Sequence, residues 1–494
     1  MSKSIFILLV AGFTASTIFC QNCGVETKIQ ENWMPKYLEN LRHSVFEKRS
    51  VLVEIPVVFH VVGRNNGSGA VSKIKCLESI CELNDLFLPA AIKFYLDSAG
   101  INQIADDAIF NTSYINTGKQ AMRAYNKPNA INVFVVNKVS ENNALGIYDP
   151  DEDWILIQKG AIGTGKKVLA HEMGHFFSLL HTHFGWDGRP WTMAYDNKQV
   201  SSLSFDGKTP TELVNRLNCS VAGDMLCDTP ADYNFGLNFQ NSCTFGGNAL
   251  DPNGVPVIPN TKLLMSYFSD DCRNTFSEEQ ILVMRADLNR DERTLLYDQI
   301  PPDNRQINQI PEVFYPVLEV SASFETDTLN FAWGAVDGAT YYYMVLDRSS
   351  KFDLEPIEII TTRPSVIVDF PFLENTKYYW KVMAYNQHHT CNSFSDVKTF
   401  TLKRTTSSTS VKNNVEFEVR YASQIIEISI KTIHDSLSEI WLLNASGQKV
   451  LQVKDFVVNQ ENKIHLFYPT IPHGVYYLTL VGNHKFATKK LWVH

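Results

Sequence analysis

The amino-acid sequence predicts a multidomain protein, in which an α/β (α+β) domain is followed by an all-β sandwich and a second, C-terminal β-sandwich. Three observations support this prediction. The chain has 494 residues, enough for roughly three domains of ordinary size. Helix and strand patterns alternate over residues 50–300, as in an α/β sheet domain. Residues 312–402 and 416–494 instead hold short strands separated by turn residues, as antiparallel sandwiches require.

The N-terminal segment has the pattern of an exported, processed protein. Residues 1–20 contain one early lysine and then an uncharged apolar stretch, which predicts a signal peptide too short to anchor in a membrane. We expect cleavage near Cys20, with a lipid anchor on that cysteine as the alternative. Residues 21–49 are polar and end in a basic pair just before the first strand, which predicts a removable propeptide.

The elements of the first domain follow from apolar periodicity. The run "VLVEIPVVFHVVG" is rich in valine and isoleucine and predicts a buried strand, and "SKIKCLESICELNDLF" has the apolar spacing of a helix. Three further stretches predict strands: "AIKFYLDSA", "INVFVVNKV" and "WILIQKG".

A proline-rich segment at residues 301–311 predicts the first linker, since it shows neither helical nor strand periodicity. In the domain that follows, residues 312–402, Trp333, Tyr343 and the stretch "LENTKYYWKVMAYN" resemble a fibronectin type III domain. The resemblance implies a sandwich with the tryptophan and tyrosines packed between two sheets.

The C-terminal segment carries a second resemblance. Residues 403–415 are rich in serine and threonine and predict a linker. Beyond it, "NASGQKV", "PHGVYYLTL" and the terminal "KKLWVH" resemble the type A sorting domain of the type IX secretion system. The resemblance implies that residues 416–494 engage the outer-membrane secretion machinery and are removed after export. A small β-sandwich that simply binds a partner is the alternative.

The motif "HEMGH" contains candidate metal ligands and a candidate general base. His171 and His175 are four residues apart, so on a helix both imidazoles lie on one face and can reach a single ion. Glu172 can take a proton from a water at that ion and later give it to a leaving amine. We therefore predict two metal ligands and a general base.

A catalytic zinc needs a third protein ligand, and His181 is the candidate. On a continuing helix it would lie about 240° further round the axis than His175, so the helix must end between them. Glycine normally makes that break because the turn has a positive φ angle, but here the residue is Ser178. His183 has no spacing argument behind it, and we expect it to support the ligands or lie at the surface.

The stretch "HEMGHFFSLLHTHFG" resembles the zinc motif of metzincin peptidases, nearest to the pappalysin (cytophagalysin) family. Two downstream segments, "LLMSYFSDDCRNTFSEEQ" and "LNCSVAGDMLCDTPADY", carry the same resemblance, which spans residues 50–300. It implies that Met265 forms a hydrophobic floor under the metal. It also implies that Tyr267 stabilises the oxyanion of the reaction, with a purely packed aromatic as the alternative.

The same resemblance implies calcium and disulfide sites. In some relatives, the residues that match Asp224 and Thr229 help to bind calcium. A turn-capping role for Asp228 explains the segment equally well. Four cysteines cluster within the segment, and they allow three connectivities. The resemblance favours first the Cys243–Cys272 pair and then the Cys219–Cys227 pair.

Cys23 of the predicted propeptide offers a thiolate that can block the metal in a zymogen, against a disulfide or an idle thiol.

The sequence thus predicts a secreted zinc metalloendopeptidase acting on protein or peptide substrates. The alternatives are a surface adhesin or binding module with a degenerate catalytic domain, and zinc hydrolysis of a non-peptide amide. The net charge of −9, with no basic run longer than two residues, argues against nucleic acid or an anionic membrane surface as a partner. Substrate specificity and oligomeric state cannot be derived from the sequence.

Overall fold

A computed structural model describes residues 51–493, apart from 142–143, 240–241, 294–295, 297–300, 303, 324–327, 406–414, 423–424, 434–436, 445–448, 455, 457–462, 468–470 and 483–485. The predicted signal peptide, propeptide and Cys23 lie outside the described residues. The chain divides into two compact units, Met1–Pro301 and Pro302–His494. Within the described residues, no helix is both long and apolar enough to span a membrane.

The first unit is built on a mixed five-stranded sheet with the order β2-β1-β3-β5-β4. Its strands are β1 (Val53–Gly63), β2 (Ile92–Ala105), β3 (Ile131–Val136), β4 (Gly146–Asp149) and β5 (Trp154–Gln158). Strands β1, β2, β3 and β5 run parallel, and β4 pairs antiparallel with β5 at the edge. The four parallel strands confirm the sequence prediction, whereas β4 is too short to show any alternation.

Helices cover this sheet and frame the site. They are α1 (Lys73–Phe87), α2 (Asp107–Thr112), α3 (Asn116–Met122), α4 (Val168–Phe176) and α5 (Glu278–Asp287). Every residue of α4 is buried, which explains its apolar composition around the histidines. Helix α5 begins with a capping box, in which Ser277 and Gln280 satisfy each other's backbone N–H groups.

Between α4 and α5 the chain is largely irregular and is held by aromatic packing and disulfides. Its buried cluster includes Trp186, Trp191, Tyr233 and Phe268. Both expected disulfides are present, Cys219–Cys227 and Cys243–Cys272, so that prediction is confirmed. Such cross-links hold a segment that has few backbone ladders of its own.

The second unit begins with a two-sheet β-sandwich. Its strands are β6 (Val313–Tyr315), β7 (Leu318–Ser323), β8 (Thr328–Trp333), β9 (Tyr341–Asp347), β10 (Ile357–Thr361), β11 (Ser365–Asp369), β12 (Lys377–Tyr385) and β13 (Lys398–Thr405). The sheets have the orders β10-β9-β12-β13-β7 and β11-β8-β6, a fibronectin III-like arrangement. Strand β13 extends three residues into the predicted second linker.

The core of this sandwich contains Trp333, as expected, together with Trp380 and Tyr342. Tyr343 does not join it, so that expectation is wrong. Alternate residues of a strand face opposite sides of a sheet, and the Tyr343 ring instead lies 5.9 Å from the ring of Phe394.

A second pair of sheets completes the chain. Its strands are β14 (Val415–Ala422), β15 (Ile425–Ile433), β16 (Leu437–Asn444), β17 (Lys449–Val453), β18 (Lys463–Phe467), β19 (Gly474–Gly482) and β20 (Phe486–Val493). The sheets have the orders β14-β15-β18 and β17-β16-β19-β20 and enclose an aliphatic core that includes Ile428, Leu442 and Leu478. The predicted C-terminal β-sandwich is therefore present.

Candidate metal centre

Helix α4 carries the first two candidate ligands. His171 and His175 lie one turn apart on the same face, and their Nε2 atoms are 3.2 Å from each other. Both side chains are almost fully buried. The four-residue spacing therefore places both imidazoles on one face of the helix, as the sequence predicts.

The helix ends immediately after these ligands in a Schellman motif. The N–H of Ser178 donates to the carbonyl oxygen of His175 at 2.9 Å, and the N–H of Leu179 donates to that of Gly174 at 2.9 Å. Ser178 has a φ angle of 72°, so a serine occupies the left-handed position that glycine usually takes. The turn lets the chain double back towards the helix.

This reversal places His181 beside the other two histidines. Its Nε2 atom lies 3.0 Å from that of His175 and 3.1 Å from that of His171. The third histidine therefore joins the pair although Ser178 replaces glycine.

The opposite ring nitrogens determine the protonation of this triad. Nδ1 of His171 lies 2.7 Å from the carbonyl oxygen of Leu264, and Nδ1 of His175 lies 2.7 Å from that of Leu179. Nδ1 of His181 meets a carboxylate oxygen of Asp187. Since these oxygens only accept hydrogen bonds, each neutral ring carries its proton on Nδ1. The three Nε2 atoms therefore direct bare lone pairs at one another.

Burial also keeps these rings neutral. It is the main cause that holds the pKa of His171 and of His175 well below the usual value, and the neighbouring histidines lower both further. Neutral imidazole is the form that binds metal ions.

The spacing fits one tetrahedral ion. Zn–N bonds of about 2.0–2.1 Å at tetrahedral angles separate ligand nitrogens by about 3.3 Å, close to the observed 3.0–3.2 Å. In the described part of the chain, a second group of His181, His183 and Asp187 also lies close together. The rings of His181 and His183 are stacked within 5° of parallel, however, so their lone pairs lie in parallel planes and do not converge.

The predicted general base, Glu172, is completely buried on α4. Its Oε2 accepts a hydrogen bond of 2.9 Å from the backbone N–H of Tyr148 in the edge strand β4. A Cβ atom at Gly146 would lie 2.6 Å from Oε1 of Glu172, so a side chain there would displace the carboxylate. The edge strand that the sequence did not reveal therefore orients this glutamate.

Met265 packs against α4 at Gly174. It is fully buried, and its carbonyl oxygen accepts a hydrogen bond of 3.2 Å from the N–H of Thr182. A Cβ atom on Gly174 would lie 2.3 Å from Sδ of Met265, so the glycine inside the motif allows this close approach. Arg273 holds the same turn by donating to the carbonyl oxygens of Leu264 and Ser266 at 3.2 and 3.0 Å.

The aromatic ring of Tyr267 also lies at the triad. Its centroid is 4.8 Å from that of His181, 4.4 Å from that of His183 and 5.8 Å from that of His171. His183 is fully buried, which rules out a surface position.

Asp224 and Thr229 lie together in a second buried polar cluster. Oδ1 of Asp224 is 2.8 Å from the Thr229 hydroxyl, while its Oδ2 is buried without a hydrogen-bond partner among the described residues. Both carboxylate oxygens of Glu212 are likewise buried without a hydrogen-bond partner among the described residues. Burial, reinforced by Asp224 and Asp232, raises the pKa of Glu212 to about 10, and burial raises that of Asp224 to about 8.

The carboxylate of Asp228 has other partners, at the start of α5. It accepts hydrogen bonds from the Ser277 hydroxyl at 2.7 Å and from the N–H of Glu279 at 2.8 Å. Asp228 therefore caps the start of α5.

Sequence reasoning missed four contributors to the centre: Gly146, Gly174, Asp187 and Arg273. Gly174 lies inside the motif and could have been questioned, because a glycine within a helix costs stability. Gly146, Asp187 and Arg273 act through contacts with residues outside their own elements, and such contacts leave no local signal.

One family model matches the C-terminal segment of the chain. Residues 422–494 match the family described as the secretion system C-terminal sorting domain. The chain ends in a sorting domain. This confirms the predicted type IX address, which indicates secretion or attachment to the cell surface. A comparison with curated proteins found no match.

Several solved structures resemble part of the chain. The FN1–FN3 domains of chicken contactin 1 are 17% identical, and the match covers 37% of this chain and 66% of that chain with a TM-score of 0.16. A fibronectin III domain of human contactin 1 is 16% identical, covering 23% and 92% with a TM-score of 0.17. The fibronectin III-like modules of Clostridium thermocellum CbhA are 10% identical, covering 37% and 94% with a TM-score of 0.16. TM-scores this low do not bear on the fold, which rests on the strand pairing.

Proposed function

We propose that the chain is a secreted zinc-dependent metalloendopeptidase of the metzincin type, related to the pappalysins. One observation carries the proposal: the bare Nε2 lone pairs of His171, His175 and His181 lie within 3.2 Å of one another. Converging lone pairs repel unless a cation lies between them, and three neutral imidazoles with an open fourth position are typical of catalytic zinc.

The chain's own residues supply the acid–base chemistry. Zinc, when bound, polarises the scissile carbonyl and makes water more acidic. The Glu172 carboxylate, held by the Tyr148 N–H, takes a proton from the attacking water and delivers it to the leaving amine. Tyr267, whose ring lies against two of the histidines, donates a hydrogen bond to the oxyanion.

The surroundings of the triad support the metzincin assignment. A parallel sheet with an antiparallel edge strand precedes the histidine helix, the helix stops before the third histidine, and Met265 lies beneath it. The sheet and Met265 lie in segments outside the histidine motif, so they support the assignment independently of it.

Calcium is a second proposed ligand, at the buried cluster of Glu212, Asp224 and Thr229. Ca²⁺ prefers carboxylate and hydroxyl oxygens, and three buried carboxylate oxygens there have no hydrogen-bond partner in the described part of the chain. Bound calcium would stabilise the irregular segment next to the zinc ligands.

The remaining domains fit an exported enzyme. The sorting domain addresses the chain to the secretion machinery, and we infer that the fibronectin III-like sandwich spaces the catalytic domain or docks substrate. A degenerate, purely adhesive domain would be expected to have lost a ligand or Glu172, and none is lost. No specific observation favours the non-peptide amide alternative.

The proposal is tested by incubating the processed protein with a proteome-derived peptide mixture, with and without a zinc chelator. We expect internal peptide bonds to be cleaved, cleavage to stop with the chelator, and activity to return on adding zinc. Absence of cleavage in a protein that binds zinc would favour the adhesin or the non-peptide substrate.

A further inference from the structure

The three histidines are not supported alike. His171 and His175 share one helix and direct Nδ1 at backbone carbonyl oxygens. His181 lies beyond the helix end, on an irregular stretch, and directs Nδ1 at a side chain, the carboxylate of Asp187. The ligand outside the helix is therefore the one of the three whose Nδ1 meets a negatively charged side chain.

Asp187 is itself held in place. Its second oxygen, Oδ2, accepts a hydrogen bond of 3.1 Å from the backbone N–H of Gly185. A carboxylate that accepts from a ligating histidine fixes the tautomer, orients the ring and makes the ligating nitrogen more basic. A backbone carbonyl oxygen fixes the tautomer without supplying a full negative charge.

His183 restrains the same ring from a second direction. It is fully buried and stacks on His181 with 4.8 Å between ring centroids and 5° between planes. Its nitrogens lie 3.7 Å from Asp187 and 3.8 Å from Asp232, both longer than a hydrogen bond. The contact with His181 is therefore one of packing, and it opposes tilting of the His181 ring out of its plane.

We propose that Asp187 and His183 are positioning residues for His181, and that together they set how tightly the centre holds zinc. Asp187 opposes rotation within the plane of the ring and adds charge, whereas His183 opposes tilting. This inference rests on the proposed zinc site and adds to it the residues that hold the third ligand.

The test measures zinc affinity by competition with a chromophoric chelator, and it requires no activity. Asp187→Ala should bind zinc about 10- to 100-fold more weakly than wild type. Asp187→Asn retains an oxygen acceptor but no charge, so its zinc affinity should lie between those of wild type and Asp187→Ala. Asp206→Asn, in the same irregular segment but contacting no histidine, is the matched control and should bind like wild type.

Two His183 variants test the stacking role. His183→Phe keeps an aromatic ring and should stay within about threefold of wild type, whereas His183→Ala should lose about tenfold. The absorption spectrum of the cobalt-substituted protein should change for Asp187→Ala and His183→Ala but not for His183→Phe.

The outcomes separate this inference from the proposed function. Wild-type affinity in Asp187→Ala, or equal losses in the two His183 variants, would overturn the inference and leave the zinc site standing. A wild-type protein that binds no zinc would instead overturn the proposed function. Asp187→Asn, nearly isosteric with the native residue, still decides the question if Asp187→Ala does not fold.

Discussion

The side-chain hydroxyl of Ser178 donates a hydrogen bond of 2.6 Å to Oδ1 of Asp287. Asp287 is fully buried at the end of α5, and its carboxylate also accepts from Arg290 at 2.9 Å and from Arg293 at 3.0 Å. Arg293 also donates a hydrogen bond of 2.7 Å to the carbonyl oxygen of Phe176, the last residue of α4. The serine that replaces glycine at the turn is therefore anchored to a network that also holds the end of its own helix.

The first prediction concerns this anchor. The left-handed conformation costs a non-glycine residue about 1–2 kcal/mol, while a hydrogen bond to a charged group contributes about 1.5–3 kcal/mol. Ser178→Gly loses the bond but also the strain, so its free energy of unfolding should stay within about 1 kcal/mol of wild type. Ser178→Ala loses the bond and keeps the strain, and it should be the less stable variant by about 1 kcal/mol. Denaturant unfolding checks this order.

An exposed serine elsewhere in the same domain provides the control for that series. Ser202→Ala should leave the unfolding free energy unchanged. If Ser178→Ala matched wild type, the hydroxyl would contribute nothing and another feature would have to stabilise the turn.

The second prediction concerns the glycine inside the motif. Alanine is favoured over glycine by about 1 kcal/mol in an open helix. At Gly174, however, the added methyl group would lie 2.3 Å from Sδ of Met265. Gly174→Ala should therefore destabilise the protein by about 1–3 kcal/mol, as overpacking does. Thermal unfolding measures the loss.

A double variant makes that prediction specific. Met265→Ala creates space, so adding Gly174→Ala to it should cost much less than in wild type. If the loss of stability in the double variant equalled the sum of the losses in the two single variants, the two side chains would not be in steric conflict.

The third prediction concerns pH and calcium. The pKa of Glu212 is raised to about 10 and that of Asp224 to about 8, so without a cation the folded state holds protons that the unfolded chain releases from about pH 4 upwards. Stability contributed by these protons is complete below that range and is lost as the pH rises towards 8–10. The melting temperature of calcium-free protein should fall across this window.

Calcium should change that dependence. By replacing the protons it should raise the melting temperature more at pH 9 than at pH 6, and binding at pH 7 should release protons, seen as a calorimetric enthalpy that varies with the buffer. Glu212→Gln should weaken both effects. An equal calcium shift at every pH would contradict binding at these carboxylates.

The sequence predicts this structure best where local patterns decide it. The valine- and isoleucine-rich run predicts the buried strand β1. The histidine spacing predicts which side chains share one face of α4. Strand β4 is not predicted, because four residues are too few to show an alternating pattern. Its backbone nevertheless orients Glu172.

The support for the third histidine shows the limit more clearly. Ser178 stands out in the sequence as the wrong residue for a turn, but its partner Asp287 is 109 residues away and nothing local links the two. Asp187 is six residues from His181, yet only the path of the irregular segment brings them together. Contacts of this kind depend on how distant segments pack, which periodicity does not encode.

The most direct test of the account compares zinc content and peptide cleavage in wild type and Glu172→Ala, with the exposed Glu141→Ala as control. We predict one zinc ion per chain in all three proteins, cleavage by wild type and by the control, and a loss of about 10²- to 10⁴-fold in Glu172→Ala. Undiminished cleavage by Glu172→Ala, or a wild-type protein without zinc, would contradict the account.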